Sequence, residues 1–266
     1  MRRQGWREQL VKQITRREML GRSSQMVAAA AGLPLLAGQA NGENAGSTAQ
    51  RLRVVVAGAH PDDPESGCGG TIANYTDLGH EVSILYLTRG EAGIRGKPAQ
   101  EAAAIRTAES EKACAILKAN PVFAGQIDGD TEVNRSRYQD FSRILSSLQP
   151  DIVFTHWPID THRDHRATSL LVYDAWVAAR RAFDLFYFEV EQGTQTQLFH
   201  PTNYVDISKT EPRKRAACFA HVSQQPADWY RLHDQMNHFR GMESGCELAE
   251  GFIRHCENLE TSVPLR

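Results

Sequence analysis

Residues 54–70 read VVVAGAHPDDPESGCGG, and the change inside that stretch, from buried-strand residues to a histidine and two aspartates, decides the fold. Apolar, β-branched residues without polar alternation form a strand covered on both faces, as in a parallel sheet flanked by helices. Working outward, TIANYTDLGH (71–80) predicts a helix, EVSILYLT (81–88) a second buried strand, and AQEAAAIRTAESEKACAILKAN (99–120) a long helix ended by Asn120 and Pro121. The alternation continues with PVFAG (121–125) as a short strand, RYQDFSRILSSLQ (137–149) as a helix and PDIVFTHW (150–157) as a strand. RATSLLVYDAWVAARRAF (166–183) then predicts a helix and DLFYFEV (184–190) a strand, with YVDIS (204–208) as the last strand. Residues 209–224 and 228–256 read as C-terminal helices. The expected architecture is α/β, a Rossmann-like, doubly wound and mostly parallel sheet with helices on both faces.

The N-terminus differs in kind. Residues 1–25 are basic and residues 26–40 apolar and small, too short a run for the roughly 20 residues that span a bilayer. Arg16 and Arg17 in TRREML have the form of a twin-arginine export signal, and Gly38, Gln39 and Ala40 form a small-residue cleavage site. Expected, therefore, are a signal peptide over 1–40, a linker over 41–50 and one catalytic domain over 51–266. The product would be exported by the twin-arginine machinery to the periplasm or exterior, with no stable membrane anchor after cleavage. Seven of the 30 Lys and Arg residues and two of the 32 Asp and Glu residues lie in 1–40, which leaves the remainder at −7. A net-acidic body argues against nucleic acid as a partner. Five cysteines without CxxC spacing indicate neither a disulfide framework nor a thiolate zinc site.

His60, Asp62 and Asp63 fall just past the first strand's carboxyl end, where open α/β sheets gather function. Alone, that turn is equally well explained as an Asx turn beside a surface histidine. A second stretch, THWPIDTHRDH (155–165), again puts ligand-type residues at a strand end: His156, Asp160, His162, Asp164 and His165. Imidazole and carboxylate together make a nitrogen and oxygen donor set that suits zinc.

These residues also carry a resemblance. AHPDD, GCGGT, LTRGEAG, IRTAE and HRDH together resemble the de-N-acetylases related to the LmbE and PIG-L proteins, over roughly residues 52–225. The resemblance implies that His60, Asp63 and His165 hold Zn2+, that Asp62 is the general base, and that His162 stabilises the oxyanion and protonates the departing amine. It further implies that Asp164 orients an imidazole, that Arg106 grips the sugar conjugate and that Glu109 is structural. Pro64 departs from the family pattern, with an acidic residue, Glu65, displaced by one position.

The expected reaction is hydrolysis of the N-acetyl group of an N-acetylated amino sugar or its conjugate. Three protein ligands leave a coordination position for water, and Asp62 is free to accept its proton. Three alternatives stay open at this level. His162 and His165 both on the metal would give a closed, structural zinc; the same site would also serve an amidase for another C–N bond, or a carbohydrate-binding protein without activity. GCGG (67–70) reads as close backbone packing under the metal turn, since no phosphate-loop pattern accompanies it. The loop TRGEAGIRG (88–96), with Arg95, is equally a pocket wall or a solvated loop, and His221 is a further candidate for lining the pocket.

Overall fold

The computed structural model describes residues 51–191 and 193–256; the leader and linker expected over 1–50 lie outside the described residues. The elements run β1 (Arg53–Gly58), α1 (Asp63–Asp77), β2 (Glu81–Tyr86), α2 (Ala99–Leu117), β3 (Asn120–Phe123), α3 (Arg135–Ser147), β4 (Ile152–His156) and α4 (Arg163–Ala178). Then come β5 (Asp184–Phe188), β6 (Asn203–Asp206), α5 (Glu211–Cys218), a short 3-10 turn (Val222–Gln224), α6 (Pro226–Ser244) and β7 (Ala249–Arg254).

The seven strands form one sheet in the order β3-β2-β1-β4-β5-β7-β6. The first five are parallel, with Val54 opposite Val82 on one side and opposite Ile152 on the other. This is the expected doubly wound arrangement, and its strand order reverses between β1 and β4. Side chains alternate across β1 as a pleated strand requires. Val54 and Val56 join Ile72, Ile84, Leu117 and Phe154 on one face, while Val55 and Ala57 join Leu85, Leu145, Leu171 and Trp176 on the other. Both faces are therefore dry, which is why these strands read as unbroken apolar runs.

Two features differ from expectation. Helix α1 starts at Asp63 rather than Thr71, so the glycine-rich stretch is helical. Its glycines are there for contact: a Cβ on Gly67 would stand 2.5 Å from the Phe188 ring, and one on Gly70 2.5 Å from Ile207. The segment read as one C-terminal helix contains β7, which inserts antiparallel between β5 and β6. Glu250 makes this strand hard to recognise, because its acidic side chain points inward and accepts the Gly70 and Thr71 amides at 2.9 and 2.8 Å. Among the described residues no helix is long and apolar enough to cross a membrane.

Candidate metal centre and active site

The chain leaves β1 through Ala59 to Asp62 and enters α1 at once. Asp62 is the N-cap and Glu65 closes a capping box by accepting the Asp62 amide at 3.2 Å. Pro64 sits in the first turn, where a helix has no use for its missing N–H. Its ring lies against Gly58, where a Cβ would come within 2.6 Å, so Pro64 seats the start of α1 on the end of β1. Across the sheet's reversal point, β4 ends in His156 and α4 begins after His162, its N-cap. Asp164 and His165 thus stand in the first turn of α4, facing the α1 turn.

Asp63 is the hub of the centre. Its Oδ2 lies 3.2 Å from His60 Nδ1 and 3.3 Å from His156 Nε2, and its Oδ1 lies 3.3 Å from His165 Nε2. The outer nitrogens of two of these imidazoles, His60 and His165, face further carboxylates, whereas His156 Nδ1 has no hydrogen-bond partner among the described residues. His60 Nε2 is 3.2 Å from both Asp128 Oδ1 and Asp164 Oδ2, and His165 Nδ1 is 3.2 Å from Asp160 Oδ2. These carboxylates are held in turn: Asp164 accepts from Gly129 N–H and Thr131 O–H, and Asp160 from His162 N–H and Thr196 O–H. His156 stacks on His165 with ring centroids 4.0 Å apart, and its Nε2 accepts the Ala59 amide at 3.0 Å.

The electrostatics follow from that layout. Burial pushes the Asp63 carboxyl up, but His165 and His156 overcome it and hold it well below the carboxylate range. Burial opposes charge on His60, yet Asp128, Asp164 and Asp63 raise it well above the usual imidazole value. His165 is raised to about 9 against its burial, by Asp63 and Asp160. A field that draws protons onto two buried imidazoles is one that holds a cation there in their place. Ligand atoms of His60, His162 and His165, of Asp63, His156 and His165, and of His60, Asp128 and Asp164 each lie within 4.8 Å of one another. The donors are nitrogen and oxygen without thiolate, so the residues present fit zinc.

Asp62 behaves differently from its neighbour. Burial raises its carboxyl to about 6, opposed by Arg106, whose Nη2 donates to Asp62 Oδ2 at 2.8 Å and to the Pro61 carbonyl. Among the described residues the ion-pair partner of Asp62 is Arg106, and Asp62 lines a cavity of about 680 Å³ together with His60, Asp63, His162 and His165. A smaller cavity of about 180 Å³ joins it, sharing Asp62, Asp63, Gln195 and Gln224. His162 accepts the Asp164 amide on Nδ1 at 3.3 Å, which puts the proton of the neutral ring on Nε2. Burial, followed by His60 and His165, lowers its pKa.

The structure therefore brings His60, Asp62, Asp63, His162, His165 and Arg106 to one cavity wall, with Asp164 fully buried behind His60. Arg106 is itself buried, gripped between Gly90 and Gly93 of the 88–96 loop, and Ala92 and Gly93 rather than Arg95 line the cavity. His221 does not line it; fully buried, it faces Glu65. Sequence reasoning missed Asp128 and the role of Asp160. Asp128 lies in GQIDGDTE, past β3, and its position after a parallel strand was the one available signal.

Residues 55–176 match the model of the GlcNAc-PI de-N-acetylase (PIG-L) family. Diacetylchitobiose deacetylase of Thermococcus kodakarensis is 32% identical over 211 residues, which cover 72% of this chain and 79% of that protein. Among solved structures, a conserved protein of Thermus thermophilus superposes with a TM-score of 0.69 at 30% identity, covering 81% of this chain and 99% of that one. The N,N'-diacetylchitobiose deacetylase of Pyrococcus horikoshii gives 0.67 at 26% identity, covering 77% and 84%. The two strand-end turns that converge on Asp63 both fall within the matched residues, and the chain belongs to the PIG-L family of metal-dependent de-N-acetylases.

Proposed function

We propose that the protein removes the N-acetyl group from an N-acetylated amino sugar or its conjugate, with His60, Asp63 and His165 as the zinc ligands and Asp62 as the base. One observation carries the division of labour: of two adjacent, buried aspartates, Asp63 faces three imidazoles and Asp62 faces a guanidinium and the cavity. Zinc held there supplies Lewis acidity, polarising the acetamide carbonyl and acidifying water. Asp62, at about 6, is ionised near neutrality yet basic enough to accept a proton from water. Arg106 keeps that carboxylate aimed and anionic between turnovers. Through Arg106, the expected sugar-gripping residue, the cavity's charge is thus tied to the base.

His162 presents an Nε2 donor to the carbonyl oxygen as it becomes anionic. In this reading it acts as a neutral donor instead of the charged acid expected from sequence, because burial and two neighbouring imidazoles disfavour its charge. Asp62, once protonated, then delivers the proton to the departing amine. Asp164 and Asp160 fix the ring orientations of His60 and His165. Upstream, Arg16 and Arg17 support export of the folded protein to the periplasm or exterior by the twin-arginine route.

The test is acetate release from N-acetylglucosamine, N,N'-diacetylchitobiose and non-sugar acetamides, before and after chelation. Expected is release from the sugars alone, lost on chelation and restored by zinc. Activity on other amides without acetate release would give the amidase reading its place, and mass spectrometry of exported protein starting near Asn41 would establish the leader.

A further inference from the structure

Asp62 holds an unusual backbone, with φ 118° and ψ −30°, in a region that residues with a Cβ rarely occupy. Such a conformation persists only where the surroundings over-determine it. Two groups do so here. Arg106 holds the Pro61 carbonyl and the Asp62 carboxylate, and Glu65 Oε2 accepts the Asp62 amide at 3.2 Å.

Glu65 can restrain Asp62 only if its own carboxylate is fixed, and it is fully buried. Its Oε1 accepts the Tyr86 hydroxyl at 2.5 Å and lies 3.2 Å from His221 Nε2. His221 is also fully buried, and neither ring nitrogen completes a hydrogen bond of good geometry. Among the described residues Nε2 is the one with a carboxylate in reach, Glu65 Oε1 at 3.2 Å, so the ring's proton belongs on Nε2, towards Glu65. The backbone around His221 is anchored too: Glu109 accepts both the amide and the hydroxyl of Ser223, at 2.7 and 2.6 Å. A chain of contacts thus runs from the turn between α5 and α6, through a buried carboxylate, to the backbone of the base.

We infer that His221, acting through Glu65, is a positioning residue that keeps Asp62 in its strained and productive orientation. The inference rests on the reading of Asp62 as the base. Neither residue touches the cavity, so neither is expected to contact substrate.

The experiment compares His221→Ala, His221→Leu and His221→Gln in the zinc-loaded enzyme. Leu fills the space without donating a hydrogen bond and so stays informative if Ala fails to fold; Gln restores an N–H towards Glu65. Expected are a fall in kcat of about tenfold to a hundredfold for Ala and Leu, KM and zinc content unchanged, and recovery of most of kcat in Gln. Amide exchange at Asp62, read by NMR, should quicken in Ala and Leu while exchange in β1 stays as in the wild type. Normal kcat in Leu, loss of zinc together with kcat, or no recovery in Gln would overturn the inference. If the wild type releases no acetate from any amide, the functional reading fails instead, and the exchange at Asp62 decides alone: quickened upholds the inference, unchanged overturns it.

Discussion

Two buried ionic clusters lie against the same helix, α1, and they are built on opposite plans. At its N-terminus, Asp63 meets three imidazoles, and three further carboxylates, Asp128, Asp160 and Asp164, face the outer nitrogens of two of them. Beside its middle, Lys214 Nζ donates to Glu250 Oε1 at 2.7 Å and to Asn237 Oδ1 at 3.1 Å. The Glu250 oxygens also take two α1 amides, and Arg240 pairs with Glu189 through two bonds of 2.7 and 2.8 Å. The buried side chains of the second cluster are matched charge for charge, Lys214 with Glu250 and Arg240 with Glu189, and the exposed Glu243 adds a further bond to Arg240 at 2.7 Å. Acidic groups outnumber permanent cations in the first, and two of its imidazoles, His60 and His165, are forced towards a positive state that a metal ion satisfies better, while burial and His165 hold His156 neutral, at about 4. A buried ionic cluster is thus readable as structural or functional by whether its own side chains complete it.

The comparison breaks most directly at Asp62. Asp62→Asn should keep zinc at the wild-type stoichiometry and cut kcat by about 10²- to 10⁴-fold, the usual share of a general base. Metal analysis beside acetate release checks this, and near-normal turnover would remove the base from the first cluster. Next in size, Lys214→Ala leaves the Glu250 carboxylate buried without its cation, which costs about 3–5 kcal/mol. Denaturant unfolding should register that loss, while kcat per zinc-loaded molecule stays at the wild-type value. A fall in kcat without a fall in stability would reverse the assignment of the two clusters.

The smallest effect is on pH. His233, buried beside Lys214, has its pKa lowered to about 3, by burial first and then by that cation, from the usual 6.5. Its folded pKa lies below its unfolded one, so the unfolded chain binds the extra proton first. Its influence on stability is nil above about 6.5 and destabilising as pH falls from there towards 3. From pH 7 to 5 the wild type should lose about 2 kcal/mol through this group. Unfolding curves of His233→Phe against wild type isolate it: the variant should show the shallower loss, and parallel curves would refute the assignment.

The first cluster was largely legible in the sequence and the second was not, for a physical reason. His60, Asp62, Asp63, His162 and His165 come from two short segments at strand ends, so local order along the chain already groups them. Lys214, Asn237, Glu250 and Gly70 lie on four separate elements and meet only through the fold. The same contrast explains β7: AEGFIR lacks the apolar continuity of a central parallel strand because Glu250 serves α1. It also explains Asp128, whose loop shows no ligand pattern until β3 brings it to His60.

The insertion of β7 between β5 and β6 also bears on the order of events during synthesis. β6 pairs with no strand but β7 among the described residues, and β5 has β7 as its outer neighbour. Until residues 249–254 have left the ribosome, β5 offers an open edge, β6 has nowhere to dock and the α1 amides lack Glu250. A nascent chain can lay down the five parallel strands early, yet its last described strand is a keystone, and the closing step has high contact order. Truncation a few residues short of Arg254 would therefore divide the sheet, where loss of an edge strand would merely trim it.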